Sequence, residues 1–338
     1  MSCVPACRLP AACLPAGRAG RAGRKYQVSG VKDNAMDKKR CGIVAIVGRT
    51  NTGKSTLLNY ILGEKVTIVS KIPQTTRNII RGILTEKRGQ IVFVDTPGIH
   101  KPKHRLGKYM NILAEGEAKG ADLIIHLVDS SERTGEEERL VVDYLNHAKA
   151  PIVIALNKID LGGKFVPEYL KLWEQKKQKT LQELGDNLVA VPISALKGTN
   201  IEKLLDVLFS HLPEGPELYP EDMVSDFPQA LAYADIIRQK FFECMREELP
   251  YSIGVLVDEI TERSNKLTYI SASILVERDS QKAIVIGDKA KVIKNVGTLA
   301  RQELESMLGR KVYLELKAKV KPGWRQDTEI LRQMGIIL

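Results

Sequence analysis

The sequence predicts an α/β domain with a mostly parallel sheet and helices on both faces, followed by an α+β domain. Three observations support this. Apolar runs of strand length alternate with helix-like segments from Cys41 onward, most of the runs end in a glycine-bearing or polar motif, and a proline-rich stretch then introduces a different order of elements. The predicted bounds are residues 40–212 for the first domain, 213–228 for a linker and 229–338 for the second domain. At 338 residues the chain exceeds the roughly 250–300 at which one hydrophobic core stops growing.

The alternation runs through Ile43–Val47, Lys54–Leu62, Ile91–Val94, Leu123–Val128, Ile152–Leu156 and Leu188–Ile193; Lys54–Leu62 is read as a helix and the rest as strands. In such sheets ligands bind beyond the carboxyl ends of the strands. Gly48-Arg49-Thr50-Asn51-Thr52-Gly53-Lys54-Ser55 follows the first strand and opens the first helix. This spacing turns backbone N–H groups inward around phosphates, with Lys54 reaching the β and γ oxygens and the Ser55 hydroxyl on Mg²⁺. The helix N-terminus, where Thr56 follows, adds partial positive charge.

Asn157-Lys158-Ile159-Asp160 selects the base. A carboxylate at Asp160 accepts a pair of hydrogen bonds from guanine N1–H and its 2-amino group, and adenine offers no such pair. Lys158 is expected along the base and Asn157 as a brace. Ser194-Ala195-Leu196 fits a final base-contacting loop whose backbone N–H meets guanine O6. Asp95-Thr96-Pro97-Gly98 closes another strand, with Asp95 holding Mg²⁺ through water and the Gly98 N–H sensing the γ-phosphate. Between these lies Pro73-Gln74-Thr75-Thr76-Arg77, where one threonine, Thr76 by preference, completes the Mg²⁺ shell when GTP is bound. Ordering and release of these loops would be the switch.

Ile99 follows Gly98, and its side chain cannot orient water. Intrinsic turnover is therefore expected to be slow, on the order of 10⁻³ s⁻¹ or less. Asn51 either ligates a K⁺ that supplies transition-state charge or simply stabilises its loop. The expected catalytic set is Lys54, Thr76, Gly98 and Asn51, with GTP or GDP, Mg²⁺ and K⁺ as ligands.

The net charge of +10 is no argument for nucleic acid by itself, because residues 1–40 alone carry +7. Residues 1–39 read as a disordered basic extension, with translation beginning at Met1 or Met36. Alternatively they form a real basic arm, and a peripheral membrane role would rest on that arm. Three of the five cysteines fall there, so neither a disulfide framework nor a metal spacing exists, and a cytoplasmic, reduced protein is expected. No apolar run approaches the roughly 18 residues of a membrane span.

Taken in order, GRTNTGKSTLLN, PQTTRN, DTPGIHKPKHRLGKYMN, NKID and SALKG resemble the bacterial Era GTPases, from about residue 40 to the C-terminus. The resemblance implies a monomeric GTPase that binds the 3′ region of 16S rRNA and acts in assembly of the 30S subunit, with peripheral association at the inner membrane as a further option. Thr50 and Thr52 depart from the Pro and Val usual in this family's phosphate loop.

The linker carries four prolines among acids and reads as stiff and exposed. Beyond it come a helix at Ala230–Leu249, strands at Ser252–Ile260 and Leu267–Glu277, a short run Lys282–Ile286, a helix at Lys291–Leu308 and a strand at Lys311–Lys319. That α-β-β-α-β order, with Gly287-Asp288-Lys289-Ala290 before the late helix, resembles a type II KH domain. Such modules press a glycine-bearing turn against RNA phosphates. Gly287, Lys289, Ala290, Lys291 and Lys294 are the expected RNA contacts, over an apolar floor from Ile286 and Val292 to Val296. Ala290 stands where the second glycine belongs, and Asp288 adds a negative charge. These two residues support the competing reading of a GTPase switch whose second domain binds a protein, or RNA only weakly. Cys244 is expected to be buried, Trp324 to cap the last strand, and Asp327–Leu338 to be a short helix. His100 and His104 are expected to be exposed.

Overall fold

A computed structural model describes residues 39–67, 78–99, 105–245 and 253–336. The basic extension up to residue 38, the Pro73–Arg77 segment with Thr76, and His100 and His104 lie outside the described residues.

The first domain runs β1 (Arg40–Val47), α1 (Lys54–Leu62), β2 (Ile80–Glu86), β3 (Gly89–Asp95), α2 (Arg105–Gly120), β4 (Leu123–Asp129), α3 (Glu136–Leu145), β5 (Ile152–Asn157), α4 (Val166–Lys177), the one-turn α5 (Leu181–Leu184), β6 (Leu188–Pro192) and α6 (Ile201–His211). Its six strands lie in the order β2-β3-β1-β4-β5-β6. All pairs are parallel except β2 with β3. Strands β3, β4 and β5 are buried along their whole length, as continuous apolar runs under helices on both faces must be. Leu57 and Leu58 of α1 share one face with Leu204, Leu205 and Leu208 of α6. The opposite face takes Ala114 and Ala118 of α2, Val141 and Val142 of α3, and Tyr169 and Trp173 of α4.

The linker is exposed in large part but does not run free. Its Pro213 carbonyl accepts from the Cys41 N–H at 3.0 Å, and its Val224 carbonyl from the Ile83 N–H of edge strand β2 at 2.8 Å. Gln90 Oε1 accepts from the N–H groups of Leu218 and Tyr219 at 2.7 and 2.9 Å. Proline spacing suggested a spacer; the unpaired edge of β2 needed hydrogen-bond partners, and the segment supplies them.

The second domain runs α7 (Gln229–Cys244), β7 (Gly254–Ser264), β8 (Leu267–Val276), α8 (Asp279–Ile286), α9 (Lys291–Leu308), β9 (Lys311–Val320) and α10 (Thr328–Gln333). The run Lys282–Ile286 is therefore helical and the order is α-β-β-α-α-β. Strand β8 already pairs antiparallel with β7 and parallel with β9, so no edge of it is left for this segment. Asp279 in the first turn favours a helix start instead. Helices α7 and α9 cover one sheet face through Ile237, Phe241, Val296 and Ala300. On the other face Leu275 meets Trp324, Leu331 and Met334, joined by Met110 from α2. Trp324 is thus fully buried between the domains rather than capping a strand. Cys244 is half-buried, its sulfur accepting from Asn295 Nδ2 at 3.3 Å. Among the described residues no helix is long and apolar enough to cross a membrane.

A polar contact also joins the domains. Lys65, just after α1, donates to Gln239 Oε1 at 2.9 Å and to Glu303, which pairs in turn with Lys240 at 2.7 Å. Burial opposes ionisation of Glu303, but the two ammonium groups hold its carboxyl below the ordinary 4.5. A depressed acid stabilises the fold above its unfolded pKa, and that contribution disappears as pH falls through the folded value. Thermal melts between pH 7 and pH 3 should therefore show an acid loss of stability, beginning near pH 4.5, that is shallower in Glu303→Gln. An equal slope in both proteins would show that the contact contributes nothing.

Candidate functional site

The predicted phosphate, base and Mg²⁺ residues that are described converge at the carboxyl ends of β1, β3, β5 and β6. Gly48 follows β1 directly, and Gly53 caps the N-terminus of α1. Asn51 is exposed at the loop's tip, with φ of 61°. Thr52 is fully buried, and its hydroxyl donates to the Arg49 carbonyl at 3.2 Å, so the family's usual valine is replaced without an orphaned polar group. Lys54 Nζ is folded against the Gly48 and Arg49 carbonyls at 3.2 and 2.9 Å. Burial pushes its pKa down to about 8, against the pull of Asp95 and Glu138. Thr56 stands half-buried in the first turn of α1.

Asp95 ends β3 fully buried, and its Oδ2 accepts from the Ser55 hydroxyl at 2.8 Å. Its Oδ1 has no hydrogen-bond partner among the described residues. Burial raises its pKa to about 6 despite Lys54 and Ser55. A buried carboxylate oxygen without a donor, next to a hydroxyl, fits a hydrated divalent cation. Gly98 lies against the phosphate loop: a Cβ there would be 2.9 Å from the Thr50 backbone. The Ile99 N–H donates to the Gly48 carbonyl at 3.2 Å, and the Ile99 side chain points into the core with Val47 and Ala114.

Asn157 joins the loops. Its Nδ2 donates to the Thr52 carbonyl and its Oδ1 accepts from the Ala195 N–H, both at 2.8 Å. Ser194 Oγ donates to Asp160 Oδ1 at 2.5 Å and so aims that carboxylate. Leu196 is exposed at the rim. Lys158, with φ of 64°, lays its ammonium on Asp129 at 2.5 Å. Burial would raise Asp129, but the bonds from Lys158 and Ser131 hold it below its ordinary value. Sequence reasoning passed over Asp129; its position ending β4, one strand over from Asn157, is the signal that could have found it.

The second predicted site is the turn between α8 and α9. Gly287 has φ of 74°, and a Cβ there would meet Val292 Cγ2 at 2.5 Å. Lys289 and Ala290 both sit in the left-handed region, at φ of 46° and 62°, with Ala290 as the N-cap of α9. Lys289, Lys291 and Lys294 are exposed around it. The apolar floor is narrower than expected: Ile286, Val292 and Ile293 are half-buried, Val296 is fully buried in the core, and Asn295 is exposed.

Fold and loops define a class, the P-loop GTPase domain with an appended KH domain. A family model described as 50S ribosome-binding GTPase matches residues 43–158, and a KH domain model matches residues 248–325. The chain is 46% identical over 303 residues to GTPase Era of Thermotoga maritima, covering 88% of this chain and 97% of that relative. A crystal structure of Era in complex with MgGDPNP and nucleotides 1506–1542 of 16S ribosomal RNA is 39% identical, with a TM-score of 0.82, and is covered completely by 89% of this chain. A single-residue variant of Aquifex aeolicus Era bound to GDP·AlF₄⁻ gives 40% identity and a TM-score of 0.81, with 88% of this chain covering all of that one. The chain belongs to the Era family of GTPases.

Two outcomes follow from the site's electrostatics. Burial pushes Lys54 down to about 8, so near that pH binding of MgGDP should take up a fraction of a proton. Near pH 6, where Asp95 is partly protonated, binding should release one in part. Calorimetry in buffers of different ionisation enthalpy reads both signs. Asn157→Ala should lower stability by about 2–3 kcal/mol, because it removes a buried amide bonded at both ends and orphans the Thr52 carbonyl.

Proposed function

We propose that the chain is a GTP-hydrolysing switch that binds the 3′ region of 16S rRNA and acts in assembly of the 30S subunit, as a monomer in the cytoplasm. The observation that carries the nucleotide half of this reading is the Asn157 carboxamide, which locks the phosphate loop and the base loop into one frame.

In this reading Gly48 to Thr56 wrap the phosphates, and Lys54 leaves the loop carbonyls to meet the β and γ oxygens. Ser55 and Asp95 hold the Mg²⁺, whose chemistry is to neutralise charge developing between the β and γ oxygens. Thr76 completes that shell and Gly98 presents its N–H to the γ-phosphate. Asp160, aimed by Ser194, accepts from the guanine edge, while Lys158 lies along the base and the Ser194-Ala195-Leu196 loop closes over it. Because Ile99 is turned into the core, turnover is slow and depends on added charge, which Asn51 would recruit as K⁺. Peripheral association with a membrane would rest on the basic residues of 1–39.

The RNA half rests on the turn at Gly287–Ala290, three exposed lysines and the 16S RNA held by the Era relative. Asp288 and Ala290 favour a second reading, in which this turn grips RNA weakly and the domain binds a protein. An α9 that starts from an alanine in the left-handed region carries about 1–2 kcal/mol of strain that glycine would remove.

Three measurements test these statements. Asp160→Asn should weaken GDP binding by about a hundredfold or more and gain xanthosine diphosphate, since a paired charged contact is lost. Unchanged GDP affinity would refute the base assignment. Replacing Na⁺ by K⁺ at fixed ionic strength should raise the GTPase rate of wild type but not of Asn51→Ala. The full chain should bind a single-stranded 16S 3′-end RNA more tightly with a non-hydrolysable GTP analogue than with GDP. Lys291→Ala should reduce the log–log salt slope of that binding by about 0.7. Binding that appears only in Ala290→Gly would favour the protein-partner reading.

A further inference from the structure

Glu138 is fully buried on α3, and neither of its oxygens has an aligned hydrogen bond among the described residues. Most of its neighbours in α3 that face inward are apolar, Val141, Val142 and Leu145. Two groups meet the carboxylate at close range. Arg49 Nε of the phosphate loop lies 3.4 Å from Oε2, and His126 Nε2 of β4 lies 2.8 Å from Oε1. Trp173 Nε1–H donates to His126 Nδ1 at 3.0 Å, so Nδ1 carries no proton and the ring is neutral with its proton on Nε2. The guanidinium of Arg49 is then the full positive charge in contact with Glu138. It is fixed a second time by Glu132, at 2.6 Å from Nη2.

What this pair holds is specific. The Arg49 carbonyl is the acceptor of both Lys54 Nζ and the Thr52 hydroxyl. Arg49 also bridges to Ile99, at the start of the segment after Gly98. A side chain anchored at both Glu138 and Glu132 leaves this peptide little freedom. A buried ion pair is a poor way to stabilise a fold, since apolar residues of similar volume commonly do as well or better. The layer around Glu138 shows that apolar packing was available.

We propose that Glu138 is a positioning residue for the nucleotide site: acting through Arg49, it sets the phosphate-loop peptide that receives Lys54. The inference rests on the reading of this loop as a GTP site. It assigns Glu138 no contact with nucleotide.

The test compares Glu138→Gln, Arg49→Met and the double variant in the full chain, with thermal melting, GDP affinity, and kcat and KM for GTP measured for each. The double variant removes both charges and so avoids leaving one buried alone. It should melt close to wild type while binding GDP about tenfold more weakly, and it should bind no worse than the weaker single variant, because the two residues act as one unit. KM should rise more than kcat falls. A double variant with wild-type GDP affinity, or single losses that add, overturns the proposal. If wild type binds GDP and discriminates against ADP, such a result removes only the anchor. A wild type without that discrimination would remove the nucleotide reading and the anchor with it.

Discussion

The carboxamide of Asn157 connects three strand ends that would otherwise be independent loops. Its donor reaches the Thr52 carbonyl after β1, its acceptor takes the Ala195 N–H after β6, and its own backbone ends β5. Parallel strands bring their carboxyl ends to one edge of the sheet, but they do not set the heights of the loops there. A buried amide with both ends bonded does, since any shift would orphan a polar group in a site closed to water. The remaining features build on this frame. Lys54 and Asp95 keep charge in a buried place, where burial lowers the one and raises the other. An anion beside Lys54 and a cation beside Asp95 would favour the charged form of each, so binding there and the order of these loops would be energetically linked.

Three connections join the nucleotide-binding domain to the second domain or the linker. Lys65, which sits between α1 and the Pro73–Arg77 segment, reaches Gln239 and Glu303 on α7 and α9. Met110, on the helix that follows Gly98 in the chain, packs against Trp324 and Leu331. The linker adds a third connection along β2, whose Ile80 lies three residues after Arg77. Interfaces of this kind, one ionic and one apolar, can be biased by small loop movements because each has few alternatives of similar energy.

Much of this was legible in the sequence because it is written in local patterns. The ends of helices Lys54–Leu62 and Lys291–Leu308 follow from the glycines just after them, Gly63 and Gly309. The buried strands follow from apolar runs. Strand β2 was not legible: IRGILTE mixes polar and apolar residues, and its strand character comes from pairing with β3 and the linker. Helix α8 was missed for the complementary reason, since Ala283 to Ile286 is an apolar run whose state is decided by the occupied edges of β8. The Arg49–Glu138–His126–Trp173 chain has no sequence signature at all. Its members lie on the phosphate loop, α3, β4 and α4, and only the fold brings them together.

The turn at Gly287–Ala290 shows how backbone geometry and chemistry can point in different directions. Lys289 and Ala290 both adopt φ values that L-residues avoid. A chain under no demand for this shape would relax, because α9 needs only an ordinary N-cap and many residues supply one without strain. At Gly287 the surroundings add a separate constraint, since Val292 leaves no room for a Cβ there. What Ala290 adds is a methyl group at the surface that phosphate would approach, and what Asp288 adds is charge of the wrong sign. Three exposed lysines oppose both through longer-range attraction, which salt screens while the methyl's bulk is unaffected. The balance between a short-range obstruction and a screened attraction depends on ionic strength, and any hold of this turn on a phosphate backbone would depend on it too.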